Sequence, residues 1–466
     1  MLRPLRVFSH YVSGQSLALL VGDLLILWAS VLAGSWIRLL GYRGFWLGYP
    51  PIPPKAALFV LLGLLTFHVA GLYDSVWRMG RKEIAARTAA AGFLWMVLFA
   101  ALAFTFPVLR LSRTATFLGF VLGTVGVILM RWSPRFYNGN RRFRERILFL
   151  GATPMAEQLI AEVERNNPGY EVLGYVDDRP PQAVALSNGY RVLGHSRQLR
   201  EIAQATQAKM IVVSLPEQPG AFPVHEILDC KLEGVRIEDW PTFYEKLTGK
   251  IIVRDVRQSW LVFSDGFNRT RRMRLTKRVV DVALSCLFLV VGWPLFLLVA
   301  LAIKLDSKGP AFLRQERVGE RGRRFILLKF RTMVDDAEAL TGPVWADEND
   351  PRITRVGRWL RKTRLDEFPQ FLNVLKGEMS FIGPRPERPS FVAQLQAKIP
   401  YYSQRLAIKP GITGWAQVRY RYGSTLEDAE QKLQYDLYYV KNMSAFLDTL
   451  ILLHSIQVVL FGKGAR

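Results

Sequence analysis

Cysteine is nearly absent from the 466 residues: Cys230 and Cys286 are the only two, and the second lies in an apolar run. That excludes a disulfide framework and a cysteine-built zinc site, and reads as two buried structural thiols. Acidic residues are also short, 39 against 62 Lys and Arg, leaving a formal net charge of +23 while half of the chain is hydrophobic. Neither an ordinary soluble enzyme nor a disordered tail has that combination, so several domains and some membrane are expected. The first apolar run has no small-residue cleavage pattern after it, which predicts that the N-terminus is retained.

Long apolar runs are what the first third does have: Ser16 to Leu40, Ala56 to Leu72, Ala89 to Leu109 and Ala115 to Met130. Each is near the ~20 residues that cross a bilayer as a helix. Arg3 and Arg6 precede the first, Arg78, Arg81, Lys82 and Arg87 separate the second from the third, and six arginines between Arg131 and Arg146 follow the fourth. The positive-inside rule then puts both ends of a four-helix transmembrane bundle, residues 1–140, on the cytoplasmic face, although Arg38, Arg43, Lys55, Arg110 and Arg113 flank the opposite loops.

At Ile147 the pattern becomes that of an α/β unit, with strands at 147–150, 172–176 and 210–213 and helices between them. A degenerate Rossmann-like domain over 141–255 is expected, followed by a basic linker, 256–275. A dinucleotide fingerprint needs glycines for its tight turn and for the backbone's approach to pyrophosphate; Gly151 is followed by Thr153 and Pro154 instead, which favours a structural or regulatory domain. A fifth apolar run, 279–305, is long enough to span. A straight span would carry the Arg-rich remainder across the membrane, against the positive-inside rule. Pro294 near its middle removes a helix hydrogen bond, so a helix that enters, bends there and returns resolves the conflict.

The chemistry lies in the last 160 residues. Arg361-Lys362-Thr363-Arg364-Leu365-Asp366-Glu367-Phe368-Pro369 sets two acids after three bases, and predicts a helix capped near Asp366 and running to about Leu375. Asp366 would then sit beside free N–H groups that also favour phosphate. A carboxylate can attack phosphorus and split one transfer into two displacements, whereas an Asp-Glu pair read alone is an ordinary helix cap. Lys329-Phe330-Arg331-Thr332-Met333, Gly383-Pro384-Arg385-Pro386 and Lys409-Pro410-Gly411-Ile412-Thr413-Gly414-Trp415 supply cations for phosphates and one exposed-looking aromatic.

Together with the Lys277-Arg278 to Asp281 entry, the Pro-broken helix and Asn373 to Ser380, these motifs make the stretch from Thr276 to Arg466 resemble the catalytic module of the bacterial sugar transferases, the membrane phosphoglycosyl transferases. The regions ahead of it match the large form of that family. Its ending, Gln434 to Tyr439 through Gly462 to Arg466, resembles the exopolysaccharide branch of exosortase-bearing bacteria. The resemblance implies a membrane α plus α/β protein with a mostly helical catalytic domain, 276–466, on a re-entrant helix. It implies transfer of a hexose 1-phosphate from a UDP-sugar to undecaprenyl phosphate at the cytoplasmic face of the inner membrane, with release of UMP. Asp366 is then the nucleophile, Glu367 its support, and Asp366 a ligand of Mg²⁺. Arg361 contacts the polyprenyl phosphate, Arg385 belongs to the phosphate-binding set, and Lys329, Arg331, Arg364, Lys409 and Trp415 complete the substrate-side residues. The partners implied are the UDP-sugar, undecaprenyl phosphate and membrane lipids, and a homodimer is compatible with the added bundle. Where the family often has Ser-Pro at the bend, Trp293 precedes Pro294 here. A nucleotide-sugar dehydratase would need a Tyr-x-x-x-Lys pair, and none of the sixteen tyrosines has Lys four residues on. A scaffold that only binds lipid phosphate leaves the acid dyad unexplained, and no nucleic-acid-reading module is present.

Overall fold

The computed structural model describes residues 5–7, 10–12, 14–38, 52–73, 81–109, 112–133, 144–166, 169–179, 189–215, 222–254, 263–267, 269–335, 350–420, 423 and 425–461. Arg3, Arg43, Arg78, Arg110, Arg135, Arg141, Arg142 and the ending from Gly462 lie outside them. Two compact units divide the chain, one formed by Met1–Arg6 with Tyr11–Phe243, the other by Val7–His10 with Tyr244–Arg466.

In the first unit four helices pack together: α1 (Gly14–Arg38), α2 (Ile52–Val69), α3 (Arg81–Thr105) and α4 (Arg113–Trp132). Leu27, Phe59, Trp95, Phe120 and Val127 fill the space between them, and the Trp95 indole N–H is spent on the Phe59 carbonyl at 2.8 Å. Their outward faces are apolar, with Leu25, Leu61, Phe93 and Phe117 all more than half exposed, as lipid-facing side chains should be. Residues 18–37, α3 and α4 are long and apolar enough to cross a membrane; the apolar stretch of α2, Pro54–Val69, is shorter. One ion pair is buried among these helices. Arg131 on α4 grips Asp23 on α1 in two hydrogen bonds, at 3.1 and 2.8 Å, and Tyr73 donates to the same carboxylate at 2.8 Å. In so apolar a setting neither charge is tolerable without the other.

Beyond the helices, β1 (Glu145–Leu150), β2 (Tyr170–Val176), β3 (Met210–Val213) and β4 (Arg236–Asp239) form a parallel sheet in the order β2-β1-β3-β4. Parallel strands need crossovers, supplied here by α5 (Pro154–Asn166), α6 (Leu199–Ala205) and α7 (Val224–Leu232). β1 and β3 are buried over their last four residues and all four residues respectively, as continuous apolar strands covered on both faces must be.

The longest helix of the second unit is α8, which is helical from Arg271 to Asp306 with Pro294 inside it. An antiparallel hairpin follows, β5 (Phe312–Val318) and β6 (Arg324–Phe330), then α9 (Arg355–Thr363) and α10 (Gln370–Lys376). A short parallel pair, β7 (Ser380–Ile382) with β8 (Gly411–Thr413), is surrounded by α11 (Pro389–Lys398), α12 (Trp415–Arg419), α13 (Leu426–Asn442) and α14 (Ala445–Phe461). The main core joins Trp415, Leu433, Tyr438, Tyr439 and Leu447, and it also takes in Ile251 and Val253.

Candidate active site

Asp366 is presented by a reversal of the chain. α9 starts on Thr354, whose hydroxyl accepts from Gly357 N at 3.0 Å, and ends at Arg364, a non-glycine residue in the left-handed region at φ +59°. That conformation costs roughly 1 kcal/mol, which the surrounding packing must hold. A single 3₁₀ turn, Leu365–Glu367, follows, and α10 begins only at Gln370, after Pro369 at φ −59°. The expected helix capped near Asp366 is therefore corrected: the acids sit in a separate turn, because Arg364 breaks the backbone before them and Pro369 restarts the helix after them.

The turn is anchored by its apolar members. Leu365 and Phe368 pack against Phe296, Val299, Phe330 and Leu360, and Phe368 also meets the Phe288 and Phe371 rings at 6.5 and 5.3 Å. Gly292 and Phe296 flank Pro294, and a Cβ at Gly292 would lie 3.9 Å from the Phe368 ring, so the dyad turn rests on α8 beside its proline. Asn373 ties α10 to β6, accepting from Leu328 N at 3.0 Å and donating to the Ile326 carbonyl at 2.7 Å. Since β6 carries Lys329, that side chain is brought into register with the turn.

The result is a cluster of charge. Glu367 Oε1 accepts from Arg385 Nη2 at 2.8 Å and faces Lys329 Nζ at 3.5 Å and Arg364 Nη1 at 3.7 Å. Burial alone would raise the Glu367 carboxyl, but Arg385, Lys329 and Arg364 together hold it far below the usual range. Asp366 is in the opposite condition: burial lifts its carboxyl above 3.8, and the adjacent Glu367 adds to that against Lys329, Arg385 and Arg364. Burial lowers the Lys329 ammonium, against the pull of Glu367. Asp366 Oδ1 is buried and accepts no hydrogen bond. Three cations thus converge on an anionic dyad, with one carboxylate oxygen held unsatisfied.

Asp366, Glu367, Lys329, Arg364 and Arg385 are brought together; the other sequence candidates are not all with them. Arg361 Nε donates to Thr332 Oγ1 at 3.0 Å. Arg331 is buried and spends its guanidinium on the C-terminal cap of α8, reaching the carbonyls of Lys308 and Ser307 at 2.7 and 2.9 Å. Lys409 lies at the other end of α10, its Nζ 3.6 Å from where a Gly377 Cβ would be, so the seven residues of that helix, about 10 Å of rise, stand between it and the dyad turn. Trp415 is a core residue and not an exposed aromatic: it is 1% exposed, its N–H is satisfied by Gly249 O at 2.9 Å, and it stacks on Tyr438. A tryptophan so enclosed has no face left for a base or sugar. The sequence reading passed over Arg405 and Asp436, a buried pair whose guanidinium holds the Arg385 carbonyl at 3.0 Å. Asp436, an acid within a run of large aromatics, was the available signal.

Another buried carboxylate meets an arginine at the C-terminal edge of the parallel sheet. There the connection from β1 runs to β2 and that from β3 runs to β4, in opposite directions, the usual position of a nucleotide crevice. Asp177 accepts from Ala152 N at 2.7 Å and from Arg179 N, Nε and Nη2 at 2.9, 3.0 and 2.8 Å, while Arg179 Nη2 also reaches the Ala152 carbonyl at 2.6 Å. Gly151 has φ +100°, and a Cβ there would stand 2.9 Å from the Leu215 side chain.

Comparison with known proteins places both regions. Residues 272–462 match the bacterial sugar transferase family, and residues 68–229 match a CoA-binding domain family. The residues of this chain do not fit CoA at the crevice: Leu215 fills the cradle over Gly151, and Asp177 and the Ala152 amide are already bonded within the chain. A UDP-glucose:undecaprenyl-phosphate glucose-1-phosphate transferase of Xanthomonas campestris pv. campestris is 32% identical over 99% of this chain and 96% of its own length. One of the same description from Escherichia coli (strain K12) is 35% identical over 71% of each chain. A UDP-N-acetylgalactosamine-undecaprenyl-phosphate N-acetylgalactosaminephosphotransferase of Aeromonas hydrophila is 40% identical over 51% of this chain, which spans 55% of that relative's length. Identity at that level along the whole length of a relative, with the dyad and its cations inside the matched catalytic region, means that the chain belongs to the bacterial sugar transferase family and is a sugar 1-phosphate transferase of the membrane.

Proposed function

We propose that this enzyme moves a hexose 1-phosphate from a UDP-sugar to undecaprenyl phosphate through a covalent intermediate on Asp366, making the lipid-linked starter of a surface glycan. The observation that carries the reading is the unsatisfied Asp366 Oδ1 inside a ring of cations that Glu367 has gathered. In the first displacement an Asp366 carboxylate oxygen bonds to the β-phosphorus, and the bond from that phosphorus to the bridging oxygen breaks, releasing UMP. In the second, an oxygen of the lipid phosphate bonds to the same phosphorus and the acyl-phosphate bond breaks, returning the carboxylate. Arg385, Lys329 and Arg364 are placed to stabilise charge spread over the phosphoryl oxygens. Glu367 orients those cations and keeps them from repelling one another.

Mg²⁺ fits this site. A buried carboxylate oxygen without a donor is a ligand for a hard cation. Asp366 would hold the ion together with donor-substrate oxygens and water, the usual sparse protein ligation of magnesium. Bound there, it would neutralise diphosphate charge.

Contacts at the two ends of α8 support a re-entrant reading of its membrane geometry. Arg278 donates to the Val374 and Leu375 carbonyls at the end of α10, and Lys277 pairs with Asp448 at 2.8 Å. At the far end Asp306 accepts from Val356 N at 3.0 Å. Both ends are held by one folded unit, whereas a crossing helix would part them by the ~30 Å hydrocarbon core. This supports a helix that enters as far as Pro294 and returns; the positive-inside pattern of the flanking arginines then favours the cytoplasmic face for the catalytic domain, with the helical bundle and the Rossmann-like domain as accessory parts of the chain.

The test is UMP release from UDP-glucose, UDP-galactose and their N-acetyl relatives by the purified full-length protein with Mg²⁺ and undecaprenyl phosphate. UMP together with a radiolabelled sugar phosphate trapped on the wild-type chain, and on no Asp366→Asn chain, is the expected result. Release of UDP would mean ordinary glycosyl transfer and end the proposal.

A further inference from the structure

The turn that delivers Arg385 is held at four successive carbonyls. Gly411 N donates to Pro384 O at 2.9 Å, Arg405 Nη2 to Arg385 O at 3.0 Å, Arg317 Nη1 to Pro386 O at 3.0 Å, and Val318 N to Glu387 O at 2.9 Å. Two of these donors are backbone amides of neighbouring strands. The other two are guanidinium groups, and Arg405 is the more enclosed, 6% exposed on the turn Tyr402–Ala407. Its Nε and Nη2 reach Asp436 Oδ2 on α13 at 3.0 and 2.8 Å, and its Nη1 donates to the Tyr402 hydroxyl at 2.8 Å. Glu387 also faces Arg405, and Lys432 faces Asp436.

Stability alone does not account for such a pair, since well-packed apolar residues in place of a buried ion pair are often as stable or more so. A planar guanidinium fixed by a carboxylate and a phenol adds direction: it sets one N–H against one carbonyl. That carbonyl belongs to the residue whose side chain holds Glu367 at 2.8 Å. A side chain about 7 Å long that swings by about 10° moves its tip by about 1 Å, a misplacement that can cost on the order of 10²-fold in rate.

We propose that Arg405, oriented by Asp436 and Tyr402, is a positioning residue for the transfer, fixing the Arg385 peptide so that the Arg385 guanidinium meets the dyad and the substrate phosphate. The role in catalysis rests on the dyad being the reacting centre. The contact that carries it does not.

A double-mutant cycle on the full-length enzyme tests this. Arg405→Lys and Asp436→Asn are each made in the wild-type and the Arg385→Ala backgrounds. The expected result is a kcat loss of about 10- to 100-fold in the first, with KM for the UDP-sugar within about twofold, and almost no further loss in the second. Equal losses in both backgrounds would show that Arg405 serves the fold in general and overturn the proposal. A second readout needs no turnover: the rate at which phenylglyoxal modifies Arg385, followed by peptide mass spectrometry. Arg405→Lys and Asp436→Asn should raise it several-fold while leaving Arg364 as in wild type, and an unchanged Arg385 rate overturns the proposal. Turnover that survives Asp366→Asn would remove the nucleophile and leave the modification result standing, so the two failures are distinct.

Discussion

Asp366 and Asp177 are both buried carboxylates with arginine close by, and the chain treats them in opposite ways. Asp177, 2% exposed, receives four hydrogen bonds from its own unit, three of them from Arg179, and they hold its carboxyl below the ordinary 3.8 although burial pushes the other way. Asp366, 7% exposed, has an oxygen with no donor, and its carboxyl is raised. Several buried polar atoms among the described residues lack a partner, and Asp366 Oδ1 is set apart from the rest by its place beside Glu367 and the three cations gathered there. A saturated acid is a strut, and an unsatisfied one among cations is a site.

Substitution by the isosteric amide should divide the two most sharply. Asp366→Asn is expected to lower turnover by about 10³-fold or more, because a neutral amide cannot form the acyl phosphate. Asp177→Asn should leave UMP release near the wild-type rate. Comparable losses in both would erase the distinction. Next in size is the ring of cations: Arg385→Lys keeps the charge but loses the planar guanidinium whose Nη2 meets Glu367, and a loss of about 10²-fold is expected in kcat/KM with the melting temperature little changed. Activity restored to wild type by lysine would reduce Arg385 to a point charge.

Much of the second unit's site was legible in the sequence because its residues lie in short local signals: the acid dyad, a lysine at the end of a strand, an arginine between two prolines. Lys329, Arg364 and Arg385 do meet Glu367. What the sequence could not show was direction. Lys-Pro-Gly followed by Trp415 reads as an exposed turn, yet β8 pairs with β7 and takes Trp415 into the core. Lys409 shares a motif with that turn and ends at the wrong end of α10. Arg331 is two residues from Lys329 but lies past the end of β6, where its guanidinium reaches the cap of α8. Arg405 was invisible because its partner Asp436 is 31 residues away and its product is one backbone carbonyl. In the α/β region Thr153 and Pro154 stand at the crevice where a dinucleotide fingerprint would have glycines. That Leu215 and Arg179 fill it depended on pairings no local pattern encodes.

The smallest expected effects are on stability, and they have opposite signs. Asp177 has its folded value below 3.8, so its contribution is complete above that pH and is lost as pH falls through the folded value. Asp366 has its folded value above 3.8, so its contribution is complete below that pH and is lost as pH rises through the folded value. At pH 7.5, about the pH of an assay, the first stabilises and the second is a cost retained for function. Asp177→Asn should therefore destabilise its unit by about 1–3 kcal/mol, the usual result of breaking a buried charge-assisted network. Asp366→Asn should raise the melting temperature of the other unit at the same pH, and that gain should shrink as pH is lowered through the raised folded value, where wild-type Asp366 takes up its proton. Scanning calorimetry of the full-length protein in nanodiscs, with and without millimolar CoA, reads all of this in one series. CoA should move neither transition, since the crevice it would need is filled by the chain. An Asp366→Asn protein that melts below wild type at pH 7.5 would mean that the carboxylate is satisfied after all, and the contrast with Asp177 would fall with it.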